Sequence, residues 1–211
     1  FIYGNRGRLF AVVSTPVGKG PHPVIILCHG IPGNDGLSDY AMNLRKAGFC
    51  TITFHYSGSW GSDGKYSLNN CFEDIDSVLE YVLKNENGIF DTNNIFLMGH
   101  SLGGMVTAYA AAKHDEVRAA ALIMPAGLGQ IYAASKTSDE AYMSAKTMID
   151  EFGGWLNDFD YDTMAEECEK EPEKYVLTSY ADGLAKKAVL GIVGAFDDVV
   201  QRDDHIDALE K

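Results

Sequence analysis

The sequence predicts an α/β domain: a mostly parallel central sheet with helices on both faces. Short, continuously apolar runs recur at residues 23–28 (PVIILC), 49–56 (FCTITFHY), 95–98 (IFLM), 119–124 (AAALIM) and 188–193 (AVLGIV), the pattern of strands buried on both faces. Segments of helical period alternate with them, which calls for parallel strands joined by right-handed crossovers. A length of 211 residues suits a single α/β unit with a sizeable core.

Taken in order, residues 1–13 mix aromatic and β-branched side chains with Gly4 and Gly7 and read as an antiparallel edge strand or hairpin. The first buried strand, 23–28, ends in the turn His29-Gly30. A helix over 37–47 places Tyr40, Ala41, Leu44 and Ala47 on one face and stops at Gly48. Strand 49–56 leads into a glycine- and serine-rich turn at 57–64, and Phe72, Ile75, Leu79 and Val82 then mark an amphipathic helix over 70–84. Strand 95–98 runs into an alanine-rich helix over 103–113, so poor in polar residues that it must be largely buried. After strand 119–124 the alternation breaks into helical, acidic and aromatic segments, and it resumes at 188–193. This divides the chain into a core of residues 1–126 and 187–211 and a helical cap inserted at 127–186.

Composition excludes several function classes. With 17 basic against 30 acidic residues the net charge is −13, which argues against a nucleic-acid partner, because phosphate backbones need clustered cations. No uninterrupted apolar run of ~18 residues is present to span a bilayer. The acidic residues crowd into 150–173 and read as a solvated helical face. Cys28, Cys50, Cys71 and Cys168 show no metal or disulfide spacing, and buried free thiols favour a reducing compartment, the cytoplasm.

Chemistry concentrates at the carboxyl ends of the strands, where such sheets carry their sites. Gly99-His100-Ser101-Leu102-Gly103 is a G-x-S-x-G pattern that directly follows a buried strand and directly opens a helix. A serine at so sharp a turn has a strained backbone, and Gly99 and Gly103 supply the small neighbours it needs. The helix start aims the Leu102 N–H at the serine oxygen, and the loop His29-Gly30-Ile31-Pro32-Gly33 can turn the Ile31 N–H inward as a second oxyanion donor. His29 is expected to brace that loop, with Gly30, rather than act as a base, and His100 points away from the serine beside it. After the late strand, Asp197 is favoured over Asp198 as the acid that orients a histidine. Both also suit a helix cap for a helix beginning near Arg202.

On these residues the chain resembles the α/β-hydrolase superfamily, and within it the prolyl-oligopeptidase-like and feruloyl-esterase-like serine hydrolases. The likeness rests on residues 29–33, 54–64 (FHYSGSWGSDG), 99–103 and 194–200 (GAFDDVV). The second stretch is similar to the Tyr-Arg-Gly-x-x-Gly-Ser-x-Gly loop of those families, with Ser57 where arginine is frequent. The resemblance implies the α/β-hydrolase fold, a Ser-Asp-His triad in that chain order with Ser101 and Asp197, an oxyanion hole from Ile31 and Leu102, and no metal or organic cofactor. It also places the histidine one more helix and strand beyond the acid. His205 is the only histidine after Asp197 and stands too early for that place. The expectation is therefore that a C-terminal strand and helix, with the histidine, lie outside these residues.

The resulting reading is a carboxylic ester hydrolase acting on a small-molecule ester or short acyl or peptide substrate. A serine peptidase or acyl-aminoacyl hydrolase with the same elbow, and an inactive binding module on the same fold, remain as alternatives. In the cap, Tyr132, Tyr142, Met143, Met148, Phe152, Trp155, Phe159 and Tyr161 are candidates to line an apolar acyl or aromatic pocket, at least half of them expected to be ordinary packing.

Overall fold

A computed structural model describes residues 1–34, 36–197, 200 and 206–209. The first strands, β1 (Ile2–Gly4) and β2 (Gly7–Leu9), form an antiparallel hairpin, and β3 (Ala11–Ser14) follows as a separate strand. The alternation then reads β4 (His22–Cys28), α1 (Ser38–Lys46), β5 (Cys50–Phe54), α2 (Leu68–Lys84), β6 (Phe90–His100), α3 (Leu102–Lys113) and β7 (Val117–Ile123). Next come α4 (Leu128–Ser135), α5 (Asp139–Gly153), α6 (Tyr161–Lys170), two 3₁₀ turns at Pro172–Tyr175 and Leu177–Tyr180, and α7 (Ala181–Leu184). The chain returns to the sheet as β8 (Ala188–Ile192), and α8 (Ile206–Leu209) follows.

The sheet order is β3-β5-β4-β6-β7-β8, with β3 antiparallel at one edge and every other pairing parallel. The period of two along β4 sends Val24, Ile26 and Cys28 into the main core and Ile25 and Leu27 to the opposite face, where Leu37 at the start of α1 and Ala41 within it cover them. The main core lies between the sheet and α2 and α3. Phe72, Ile75, Leu79 and Val82 of α2 are buried there as their spacing predicts, and α3 is buried along most of its length.

Three expectations need correction. Tyr40, predicted on the buried face of α1, is exposed, because only Ala41 of that helix is fully covered by the sheet. Of the 188–193 run, read as a buried strand, residues 188–192 form β8 and are exposed throughout, with Leu190 at 57%. It pairs with β7 on one side and has no further strand among the described residues. The acidic 150–173 stretch is only in part a solvated face, since Asp150 and Asp160 accept helix N–H bonds and Glu167 and Glu169 bind neighbouring elements.

Helices α4 to α7, between β7 and β8 in the chain, share the main core: Leu128, Ile149, Met164, Tyr175, Leu177 and Leu184 belong to it. Tyr132, Phe159 and Tyr161 are packed into that core, with Met148 and Phe152 against it, while Tyr142, Met143 and Trp155 are exposed. The four cysteines are buried and free. Burial pushes the Cys28 thiol up to about 12, which removes it as a nucleophile at neutral pH.

Candidate active site

Ser101 stands alone between the end of β6 and the start of α3, with φ 55° and ψ −125°. A side chain held there costs on the order of 1–3 kcal/mol and persists only where its surroundings fix it. Here the Ser101 N–H donates to Ile123 O (3.0 Å), and its carbonyl accepts from Gly104 N (2.8 Å) and Ala126 N (3.0 Å). The elbow is closed so tightly that a Cβ at Gly99 would collide with the carbonyl of Gly103, and one at Gly103 with the carbonyl of Cys28. Gly104 belongs to the same device, since its Cβ would come 2.7 Å from Pro125 Cα. Sequence reasoning named the first two glycines and passed over the third, although it stands in the same Gly-Gly pair.

The parallel register pairs Cys28 of β4 with Gly99 of β6, so the loop that leaves β4 emerges beside the serine. A Cβ at Gly30 would lie 3.0 Å from Ser101 Cβ. Leu102 is the first residue of α3, and its N–H has no acceptor within the helix. Ile31 follows Gly30 directly, so both candidate oxyanion donors flank the serine in the chain or across the strand pair. His29 is buried, its Nδ1 is 2.6 Å from Gly30 O, and its ring packs on Tyr56 (4.5 Å) and His55 (5.0 Å). Tyr56 OH donates to the His29 carbonyl (3.3 Å). This ring is engaged with its own loop.

Asp197 leaves the sheet after β8, at the same end as Ser101 and two strands away from β6. Met124 N–H donates to Ile192 O (2.7 Å), tying the chain after β7 to the end of β8. Asp197 Oδ1 accepts from Val200 N (2.8 Å), and residues 201–205, where the alternative reading placed a helix for it to cap, lie outside the described residues. Asp198 and His205 lie outside the described residues.

The turn after β5 borders the same region. Ser57, in place of the frequent arginine, is buried and donates to Asp74 of α2 from its N–H (2.6 Å) and its Oγ (2.9 Å). Burial pushes the Asp74 carboxyl up to about 6, even though both Ser57 donors act in the opposite direction. Further along the turn, Trp60 Nε1 donates to Pro32 O (2.5 Å), joining the turn to the loop beside Ser101. Neither Asp74 nor this Trp60 bond was anticipated from sequence, because each depends on contacts between distant segments. Among the described residues no group of three or more His, Cys, Asp or Glu could hold a metal ion, and no helix is long and apolar enough to cross a membrane.

A model of the alpha/beta hydrolase fold family matches residues 23–179, most of the chain. The chain belongs to the α/β-hydrolase family. It is similar to an uncharacterized 31.7 kDa Escherichia coli protein of the traX-finO intergenic region, with 42% identity over 108 residues. That match covers 49% of this chain and 37% of the E. coli protein. Esterase EstD of Thermotoga maritima is 29% identical over 112 residues, 48% of this chain and 26% of the esterase. In structure, the chain resembles a puromycin-hydrolyzing peptidase of Mycobacterium tuberculosis, with a TM-score of 0.72 and 21% identity. The superposition covers 99% of this chain and 32% of the peptidase. The predicted α/β-hydrolase fold is therefore the observed one, and within this hydrolase family Ser101 occupies the strand-to-helix elbow that its motif predicted.

Proposed function

We propose that this α/β-hydrolase domain cleaves carboxylic esters through an acyl-enzyme on Ser101. Asp197 serves as the orienting acid, and the N–H groups of Ile31 and Leu102 form the oxyanion hole. The observation that carries the reading is the Ser101 backbone, held at φ 55° in an elbow with no space for a Cβ at Gly99, Gly103 or Gly104. An ordinary strand-to-helix connection has no need to keep a side chain in such a conformation. Ser101 Oγ attacks the acyl carbonyl while a histidine takes its proton. The carbonyl oxygen becomes an oxyanion between the two N–H groups, the protonated alcohol leaves, and water resolves the acyl-enzyme by the same steps.

For the base, the packing of His29 on its own loop and the position of His100 next to the nucleophile favour neither. In these 211 residues His205 is the histidine that follows the acid in chain order, although it stands earlier than the resemblance places the base, and ester turnover that survives His205→Ala removes it from that role. No metal or organic cofactor is required by this chemistry.

The experiment is reaction of the natural protein with a fluorophosphonate, followed by peptide mapping and by ester turnover in Ser101→Ala and His205→Ala. A single adduct on Ser101, with turnover lost in Ser101→Ala, is expected. An adduct elsewhere, or ester turnover that survives Ser101→Ala, removes the reading. Turnover of acylated peptides in place of esters would keep the nucleophile and change the substrate class.

A further inference from the structure

Two tryptophans face each other beside the candidate active site. Trp60 and Trp155 stack with ring centroids 6.2 Å apart and planes 17° from parallel, and they are 36% and 66% exposed. Neither belongs to the buried core, so packing does not account for them. Yet both are held firmly. Trp60 is kept at φ 43°, a conformation unfavourable for a bulky residue, and its Nε1 is fixed to Pro32 O. Trp155 precedes a turn that is sewn to the Trp60 loop by Asn157. Its N–H donates to Gly58 O (2.9 Å), its Nδ2 to Gly64 O (2.6 Å), and its carbonyl accepts from Tyr66 N (2.9 Å). Lys65 and Asp158 pair across the same seam at 2.8 Å.

The location gives the pair its meaning. A Cβ at Gly30 would lie 3.0 Å from Ser101 Cβ, and Pro32, the partner of Trp60, is two residues further on, a span of at most about 7 Å. The loop that borders Ser101 is therefore also the loop that holds the Trp60 indole, and Trp155 stacks on that indole. Rigid, preorganised, exposed aromatic faces held by that loop suit stacking of a flat apolar ring.

We propose that Trp60 and Trp155 form a substrate subsite that takes a neutral planar aromatic group carried close to the scissile carbonyl. Esters of aromatic acids are then preferred over esters of short aliphatic acids. This rests on the reading of Ser101 as the nucleophile, but binding can be tested without turnover.

The protein has two tryptophans, and both are in this pair, so intrinsic tryptophan fluorescence reports on the subsite alone. Ethyl 2-naphthoate titrated into the Ser101→Ala protein should quench that fluorescence saturably. By calorimetry, Ser101→Ala/Trp155→Ala should bind it about tenfold more weakly, while Ser101→Ala/Trp155→Phe, which restores a flat face, should recover most of the affinity. In the active protein, Trp155→Ala should lower the ratio of kcat/KM for ethyl 2-naphthoate to that for ethyl butanoate by about tenfold. Absence of quenching, or equal affinity in the Ala and Phe variants, overturns the subsite. Failure of fluorophosphonate to label Ser101 overturns the nucleophile instead, whatever the binding result.

Discussion

Glu167 of α6 accepts hydrogen bonds from the backbone N–H groups of Leu68 (2.8 Å) and Asn69 (3.0 Å), the first two residues of α2. Ser67 Oγ accepts from Asn70 N (3.1 Å), so the whole first turn of α2 is capped, two-thirds of it by a carboxylate about a hundred residues away. A negative charge there also opposes the positive end of the helix dipole. Glu167→Ala leaves two partly buried N–H groups without an acceptor and is expected to cost about 1–2 kcal/mol. Glu167→Gln keeps one acceptor oxygen and should lose less. Urea unfolding of the two variants checks this, and a Glu167→Ala protein as stable as the parent would remove the capping role.

The elbow glycines allow a sharper test. In Gly103→Ala the new methyl would collide with Cys28 O and lie 2.5 Å from His29 O, both backbone atoms at the root of the loop beside Ser101. Neither atom can swing aside as a flexible side chain would, so the loop must shift. The expected outcome is a loss of at least about 2 kcal/mol in stability, together with at least a tenfold slower fluorophosphonate reaction at Ser101, roughly 1.4 kcal/mol in barrier. Normal labelling in a destabilised variant would separate packing from chemistry and sink the claim that the loop serves the serine.

Much of this was legible because it is local. The run PVIILC, the glycines around Ser101 and the apolar spacing of α2 each describe a backbone environment that neighbouring residues determine, and each formed as read. What escaped was long-range. Glu167 looks like one more acid in an acidic stretch until α6 is laid against α2. Trp60 sits within a recognised loop, but its bond to Pro32 depends on two loops meeting at the end of the sheet. Exposure of β8 could not be read from AVLGIV, because apolar character marks a strand without saying what covers it.

Asp76 of α2 accepts from His114 Nε2 (2.7 Å), Lys113 Nζ (2.7 Å) and Tyr109 OH (2.9 Å) at the end of α3. Burial alone would raise its pKa, but the bonds from His114, Lys113 and Tyr109 outweigh that and hold it below the ordinary 3.8. With the folded value the lower, this stabilisation is present above the ordinary value and is lost as the pH falls through the folded one. Asp76→Asn should therefore be less stable than the parent by about 1 kcal/mol at pH 7, and the gap should close in strong acid. Urea midpoints at pH 7 and pH 3 measure it, and a gap that stays constant would mean the charge of Asp76 contributes nothing.

Asp74, two positions earlier on the same helix, should behave in the opposite sense. Its carboxyl is buried against Ser57, and burial lifts it to about 6 from an ordinary 3.8. Between those values the folded protein holds a proton there that the unfolded chain has released, so stability falls as the pH rises across that window. The slope from this one group approaches at most about 1.4 kcal/mol per pH unit, and it vanishes on either side. Asp74→Asn keeps an acceptor for one Ser57 donor and cannot ionise, so its stability should not decline through that window as the parent's does. Above pH 7 the two curves should run parallel. Because Ser57 begins the loop that carries Trp60, Asp74→Ala, which leaves both Ser57 donors without this partner, should also shift tryptophan emission to the red at neutral pH. Parent and Asp74→Asn curves with the same slope from pH 4 to 6 would mean that the Ser57 bonds keep Asp74 ionised in the fold. The loop at the candidate active site would then be anchored by a permanent charge and not by a group that titrates near neutrality.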